Sequence, residues 1–231
     1  MLLKSKDDKG NIVFNLSKPE NYYTQRNNEL DPMNTCATTS MVQALEVAGY
    51  TFPSMFPNYR QPEDKLTYFI RNDKRVLEYW KQINPVEYDK FIYKKNGYYQ
   101  PNEIHAVLSY GTNLFMGKQV TRFISGYPLD SIVSELFVRE RPCVLSGKFS
   151  GLNHIVTLVG CAVKEKTVNK KQRKDITFKD IEYFIIDDTY GLTGRYKESR
   201  QGNDVAIMPK RFIAEFKPLN DRTKKWCHII I

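Results

Sequence analysis

The clearest pattern of apolar and polar positions lies in the segment 34–49, NTCATTSMVQALEVAG. Small or apolar residues recur there at the spacing of one helix face: Ala37, Ser40, Met41, Ala44, Leu45 and Ala48. Asn34 or Thr35 can cap the start of this predicted helix, and Gly49 can end it in a left-handed turn. Cys36 is therefore expected in the first turn of a helix.

The same reading predicts further helices over 62–80, from Asn102 onward, and over 129–141 with Asp130 as the cap. A short strand is predicted at 11–16. After Pro142 the pattern changes to strands at 143–149, 154–163, 182–190, 204–208 and 226–231. Helices followed by a mostly antiparallel sheet indicate an α+β fold, with residues 1–231 forming a single domain.

Length and composition agree with one globular domain. The 231 residues are 41% hydrophobic, enough to bury a sizeable core. The N-terminal run MLLKSKDDKGN has no signal-peptide character, and no segment has the ~20 apolar residues of a membrane span. We therefore expect a protein made in the cytoplasm, without stable membrane association, and monomeric.

Cys36 is the candidate nucleophile. The first turn of a helix has unpaired N–H groups and the positive end of the helix dipole, which favour a thiolate over a thiol. The other cysteines, Cys143, Cys161 and Cys227, lie in apolar strand-like runs without CxxC or zinc-ligand spacing, so they are interpreted as core thiols.

A nucleophilic cysteine needs a base, and the base needs an orienting group. His154 opens one apolar strand, and the next apolar strand ends in Asp187 and Asp188. If the two strands are antiparallel, one carboxylate can meet the imidazole. The order Cys, His, Asp is that of a papain-like hydrolase. Of the remaining histidines, His105 is interpreted as packed or substrate-lining and His228 as structural.

Three segments resemble a known family: 22–41 (YYTQRNNELDPMNTCATTSM), 153–160 (NHIVTLVG) and 187–191 (DDTYG). They are similar to papain-like cysteine peptidases related to the leader-peptidase domains of bacteriocin exporters, and more closely to stand-alone versions carried by phages and bacteria. The resemblance implies a papain-like fold, Cys36 as nucleophile, His154 as base, Asp188 as orienter and Gln25 in the oxyanion hole.

The chain departs from the family pattern at two positions. Ala37 replaces the glycine that usually follows the cysteine, and Thr189 replaces the proline of the Asp-Pro turn. The second departure leaves both Asp187 and Asp188 open as the orienting group. Because strand neighbours point to opposite faces, only one of them can reach His154. Asp188 is favoured by its position before the Thr-Tyr-Gly turn.

The resemblance and a net charge of +9 suggest a phage-lysin-type endopeptidase acting on bacterial peptidoglycan, released through a separate membrane pore. The segment 50–128 would be a helical elaboration on the substrate side. The alternatives are an intracellular processing peptidase, an amidase cutting between sugar and peptide, an acyl transferase, and an inactive cell-wall-binding module.

Basic residues cluster in the segment 164–175, KEKTVNKKQRKD. This segment is interpreted as a solvated hairpin loop or, alternatively, as a surface attracted to an anionic polymer. No nucleic-acid-binding motif is present, so no nucleic acid is expected as a partner. No cofactor is expected, with one alternative: the oxygen ligands of Asn28, Glu29 and Asp31 would suit calcium.

Overall fold

The computed structural model describes residues 2–54, 59–86, 88–89, 102–149, 154–191, 202–217 and 225–231. Seven α-helices lie wholly within these ranges: α1 (Cys36–Val47), α2 (Pro62–Asn72), α3 (Lys74–Ile83), α4 (Asn102–Met116), α5 (Leu129–Phe137), α6 (Glu165–Val168) and α7 (Pro209–Glu215). The strands in these ranges are β1 (Leu3–Lys6), β2 (Asn11–Asn15), β3 (Thr121–Ser125), β4 (Cys143–Gly147), β5 (His154–Lys164), β6 (Ile181–Asp187), β7 (Val205–Ile207) and β8 (Trp226–Ile230).

The strands form one open antiparallel sheet in the order β1-β2-β5-β4-β8-β3, with β6 paired to β5 and β7 to β6. The long strand β5 organises this sheet. Its first half pairs with β4, its second half pairs with β2, and its other edge pairs with β6. The predicted α+β class is confirmed, and the start of β5 lies beside the end of β6.

Each face of the sheet is covered by helices. Ile155 on β5 and Val144 on β4 belong to the core formed with α1 to α4. Their strand neighbours Val156 and Leu145 belong to the core formed with α5 and α7. This alternation follows from the two-residue period of a strand. Because both faces are buried, β5 is apolar almost throughout rather than alternating.

Several predicted elements differ in detail. The helix predicted over 62–80 is two helices, because Asp73 ends α2 and its side chain accepts from the Arg75 N–H to cap α3. Helix α5 has Pro128 at the N-cap position; the predicted cap, Asp130, instead accepts from the backbone N–H of Phe178. The segment 50–128 is not entirely helical, since it contains β3, and β1 was not predicted at all.

None of the helices in the described part of the chain is long and apolar enough to cross a membrane. The longest of the seven helices given above, α4, has 15 residues.

Candidate active site

Cys36 is the first residue of α1, as predicted, and is 8% exposed. Two hydrogen bonds hold this helix against β5. The Ser40 hydroxyl donates to the Ile155 carbonyl oxygen at 3.0 Å, and the Thr157 hydroxyl donates to the Ser40 carbonyl oxygen at 3.0 Å. The first turn of α1 is therefore fixed beside the first residues of β5.

Thr35 occupies the N-cap position but does not cap the helix with its side chain. Its hydroxyl accepts from the Asn28 side-chain amide at 2.8 Å, and the same amide donates to the Thr39 hydroxyl at 2.9 Å. Asn28 thus ties the preceding loop to α1. At the other end, Gly49 adopts a φ of 85°, the left-handed conformation predicted for it.

His154 contacts both partners that a catalytic imidazole requires. Its Nε2 lies 2.7 Å from Asp188 Oδ1, and both side chains are buried. Cys36 acts on the same ring, because a hydrogen bond and charge from its side chain help to raise the pKa of His154. Since Nε2 faces Asp188, Nδ1 is the nitrogen left for the sulfur. The described residues therefore bring together a thiol, an imidazole and a carboxylate in one chain of contacts.

These contacts decide the protonation of His154. Burial lowers the pKa of the imidazole, but hydrogen bonds to Asp188 and Cys36, together with their charges, outweigh burial and raise the pKa to about 10. At neutral pH the ring is therefore an imidazolium with one N–H directed at Asp188. Such a cation stabilises a neighbouring thiolate, the nucleophilic form of cysteine.

The backbone around Asp188 holds its carboxylate in place. Oδ1 also accepts from the Tyr190 N–H at 2.9 Å, and the Asp188 N–H donates to the Gly202 carbonyl oxygen at 2.8 Å. The Tyr22 hydroxyl donates to the Asp188 carbonyl oxygen at 2.9 Å. Gly202 has a φ of 97°, and a Cβ there would collide with that same oxygen. Only glycine fits this position.

Asp187 faces the other way. It pairs with Thr157 across the sheet, accepts from Gln43 Nε2 of α1 at 2.6 Å, and accepts from the Asp204 N–H at 2.8 Å. Burial raises the pKa of Asp187 to about 7. Of the two candidate carboxylates, Asp188 is thus the one in contact with His154, while Asp187 joins α1 to the segment that follows Gly202.

Gln25 is buried and fixed by the same loop. The Thr189 hydroxyl donates to Gln25 Oε1 at 3.1 Å, and the Gln25 N–H donates to the Thr189 carbonyl oxygen at 2.9 Å. Gln25 Nε2 donates to the Pro32 carbonyl oxygen at 2.9 Å, which uses one of its two hydrogens. Because the Pro32 carbonyl oxygen can only accept, it fixes Nε2 as the donor end of the amide, and the Thr189 hydroxyl holds the other end.

Sequence reasoning missed Thr189, Tyr22 and Gly202 as supports of the site. Thr189 drew attention only as a departure from Asp-Pro, and nothing in its local sequence indicated a partner 164 residues away. Gly202 lies eleven residues beyond the last motif, which ends at Gly191. In each case the contact arises from tertiary packing, which spacing along the chain does not reveal.

The three residues considered for calcium have separate partners. Asn28 Nδ2 bonds Thr35 and Thr39 of α1, whereas Asp31 pairs with Arg71 at 2.8 Å. The Glu29 N–H donates to the Asp64 carboxylate at 2.9 Å. Within the described ranges, no three His, Cys, Asp or Glu side chains are grouped as metal ligands would be.

A pocket is lined by residues on both sides of Cys36 in the chain. Four of its lining residues flank Cys36 in the chain (Asn34, Thr35, Ala37 and Thr38), and Ile155 follows His154. The opposite wall comes from α2, α3 and α4, including Ile70, Trp80 and His105. Its empty volume is about 560 Å³ with the open solvent at its mouth included. Helices of the segment 50–128 therefore form one side of the space next to Cys36.

The basic segment lies away from this pocket. It begins at the end of β5, ten residues from His154, which at about 3.3 Å per residue is roughly 30 Å along the strand. Several of its charges are paired: Lys171 with Asp180 at 2.8 Å, Lys164 with Glu182 at 3.2 Å, and Arg173 with Glu140. It forms the short helix α6 and a 3₁₀ turn rather than a bare hairpin loop.

No protein-family model matches the chain, and no curated protein is similar to it in sequence. The site must therefore be interpreted from its own geometry.

Proposed function

We propose that this chain is a cysteine hydrolase of papain-like fold that cleaves amide bonds with Cys36, His154 and Asp188. One observation carries the proposal: a buried imidazole has its Nε2 2.7 Å from a buried carboxylate, and a thiol at a helix start raises the pKa of the same ring. Nucleophilic catalysis requires this arrangement of nucleophile, base and orienting group. A buried structural histidine needs no adjoining thiol at a helix start.

The proposed reaction has two halves. Cys36 Sγ attacks the carbonyl carbon, and the negative charge moves to the carbonyl oxygen. When that tetrahedral species collapses, the C–N bond breaks and His154 Nδ1–H gives its proton to the leaving amine. Water then attacks the thioester and loses a proton to His154. The C–S bond breaks, the acid leaves, and the imidazolium–thiolate pair is restored.

Asp188 and Gln25 have supporting roles in this scheme. The Asp188 carboxylate holds the ring orientation and stabilises the imidazolium. The Cys36 N–H and the second hydrogen of Gln25 Nε2 would donate to the oxyanion, a contribution of about 3–4 kcal/mol per donor in comparable enzymes. Two contacts support this assignment: Nε2 donates to the Pro32 carbonyl oxygen, which can only accept, and the Thr189 hydroxyl holds Oε1.

For the substrate we propose the peptide part of bacterial peptidoglycan, supported by the resemblance and by the net charge of +9. One observation favours a second candidate, a protein-processing peptidase. The basic segment is remote from Cys36, whereas the pocket beside Cys36 has mainly apolar walls formed by Ile70, Val107, Leu108 and Ile155. Such walls suit a protein side chain as well as a stem peptide.

Product analysis separates these candidates. Purified peptidoglycan and an unfolded protein mixture are each incubated with the wild type and with Cys36→Ala, and new termini are identified by mass spectrometry. New amino termini within stem peptides support the endopeptidase, and free muramyl carboxylates indicate an amidase. Cleavage of protein alone indicates a processing peptidase, and amine incorporation indicates an acyl transferase. No Cys36-dependent product from either substrate would argue against hydrolysis.

A further inference from the structure

The pocket beside Cys36 is lined by a histidine with a ring nitrogen that no described residue satisfies. His105, on α4, is buried and lines the pocket. Its Nδ1 lies 2.8 Å from His228 Nε2. Its Nε2 is buried and has no hydrogen-bond partner among the described residues. Leaving a buried polar atom unpaired costs about 1–3 kcal/mol, so this nitrogen calls for an explanation.

Three further polar side chains of the pocket are already engaged. The Thr38 and Thr67 hydroxyls lie 2.7 Å apart, and one of them donates to the other while the second donates to a backbone carbonyl oxygen, that of Thr35 for Thr38 or that of Glu63 for Thr67. Arg71 pairs with Asp31 at 2.8 Å, so its charge is compensated. The pocket therefore has mainly apolar walls, and one of its lining residues, His105, has a buried ring nitrogen without a hydrogen-bond partner among the described residues.

His105 belongs to a buried relay. His228 Nδ1 lies 3.1 Å from the Ser109 hydroxyl, so Ser109, His228 and His105 form one hydrogen-bonded chain that ends at His105 Nε2. The His105 ring also stacks on Phe123 with ring centroids 5.0 Å apart. These contacts fix the position of the ring. His105 thus combines a ring in a fixed position, a nitrogen without a partner among the described residues, and a place in the wall of the pocket.

The relay is neutral and can act in either direction. Burial lowers the pKa of His105 to about 3 and, together with the charge of His105, lowers that of His228. If Ser109 donates, each imidazole passes the hydrogen on and His105 Nε2 becomes a donor. If Ser109 accepts, both tautomers reverse and Nε2 becomes an acceptor. A neutral nitrogen offers no counter-charge to a buried carboxylate or ammonium group.

We propose that this pocket binds the substrate side chain next to the scissile amide, and that it selects an uncharged side chain with an apolar body and one hydrogen-bonding group, which pairs with His105 Nε2. A phenol, a primary amide or a hydroxyl meets this description. This inference rests on the proposed amide hydrolase in one respect, namely that the molecule bound in the pocket is the substrate. The pocket and His105 Nε2 are features of the structure whichever reaction the chain catalyses.

Binding can be tested without turnover. The Cys36→Ala protein is labelled with ¹⁵N-histidine and titrated with three pairs of N-acetylated amino acid amides, each with a polar and an apolar member. Tyrosine and phenylalanine test the phenol, glutamine and methionine test the primary amide, and threonine and valine test the hydroxyl. The proposal expects the His105 Nε2 resonance to move with the polar member of at least one pair and to move less with its apolar partner. No response of His105 to any polar probe would overturn it, whatever the hydrolase assay gives.

Specificity is tested by turnover. Peptide libraries carrying the same three pairs at each position around the cleaved bond are digested by the wild type and by His105→Phe, which keeps a planar ring against Phe123. At one position the wild type should prefer the polar member about tenfold in kcat/KM. His105→Phe should abolish that preference, so that the polar and apolar members of each pair are cleaved with similar kcat/KM.

A preference that survives His105→Phe, or a wild-type preference for charged side chains at that position, would overturn the proposal. Ser109→Ala is a second variant, which keeps His105 Nε2 and shortens the relay. Ser109→Ala should reduce the preference for the polar side chain only where that side chain accepts a hydrogen bond, because His105 Nε2 is a donor when Ser109 donates to His228. Should His105→Phe fail to fold by circular dichroism, the binding titration still decides. Failure of the hydrolase itself is recognised separately, since no library peptide would then be cut.

Discussion

His154 Nε2 lies 2.7 Å from Asp188 Oδ1, whereas the neighbouring Asp187 faces Gln43 of α1. Two adjacent carboxylates thus have different environments. Asp188→Asn should reduce kcat/KM at least tenfold and up to about 10⁴-fold, because the amide cannot stabilise the imidazolium. Steady-state kinetics with circular dichroism as a folding check would measure this. Near-wild-type turnover in a folded Asp188→Asn protein would remove the orienting role.

Asp187→Asn is the matched control and should keep most activity. Rotation of the Gln43 amide would let its oxygen, which is buried and unpartnered among the described residues, accept from the new side chain.

Because the folded-state pKa of Asp187 is raised to about 7 from 3.8, the contribution of this carboxyl group to the free energy of unfolding falls as pH rises between those values. The melting temperature of Asp187→Asn relative to wild type should therefore increase from pH 5 to pH 8. A difference independent of pH would contradict this.

The raised pKa of His154 predicts the alkaline side of the activity profile. The ring keeps its proton until about pH 10, so kcat/KM should decline only as pH approaches that value. In Asp188→Asn the hydrogen bond and charge that raise the pKa are lost, and the decline should move to lower pH. A pH–rate profile of both proteins measures this. If kcat/KM declined at the same alkaline pH in the wild type and in Asp188→Asn, Asp188 would not set the protonation of His154.

The elements that the sequence predicted well are those whose local pattern agrees with their packing. Helix α1 has a continuous stripe and a glycine with φ of 85° at its end. Strand β5 is a nearly unbroken apolar run, and its pairing with β6 brings the end of one to the start of the other. For that reason the proximity of His154 to Asp188 could be predicted from the sequence.

Other features depend on contacts distant in sequence. Asp130 has the residue type and position of a helix cap, yet it is recruited by the Phe178 N–H, 48 residues away. Strand β3 is short and half-exposed, and it exists because it adds to β8 at the sheet edge. The His105–His228 pair joins a helix to the last strand. None of these pairings leaves a periodic signal.

Thr189 should matter to catalysis through Gln25. Thr189→Val keeps the shape of the side chain but removes the hydroxyl that holds Gln25 Oε1. The amide is then held only through Nε2 and the Pro32 carbonyl oxygen, so its direction toward the oxyanion is less well fixed. We expect about a tenfold loss of kcat with KM little changed. Alkylation of Cys36 by iodoacetamide should be unaffected, because the thiolate and His154 remain in place.

Thr24→Val is the control for this effect, since the Thr24 hydroxyl donates to the Thr189 carbonyl oxygen at 3.2 Å without touching the amide. It should leave kcat within about twofold of wild type. Equal losses in the two variants would mean that the loop as a whole, and not the orientation of Gln25, is responsible.

The basic segment should affect attachment and not chemistry. Its exposed side chains Lys170, Lys171, Arg173 and Lys174 follow the end of β5, a strand that extends roughly 30 Å from His154. Replacing all four with glutamine should weaken sedimentation with purified peptidoglycan, most visibly at low salt, where screening is least. Cleavage of a short soluble peptide should not change.

Lys74→Gln with Lys81→Gln, on the exposed side of α3, provides a charge control elsewhere on the surface. If this pair weakens wall binding as much per charge as the four substitutions do, net charge and not the segment 164–175 is responsible. Binding that ignores both the substitutions and salt would remove the electrostatic role altogether.

The most direct measurement is hydrolysis by Cys36→Ala compared with Cys143→Ser. Cys143 lies in β4, fully buried and outside the site, so its replacement should cost some stability and leave the rate per folded molecule intact. With any amide substrate that the wild type cuts, Cys36→Ala should give no new termini by mass spectrometry while its circular dichroism spectrum stays unchanged. Termini formed by folded Cys36→Ala at the wild-type rate would contradict the proposed mechanism at its first step.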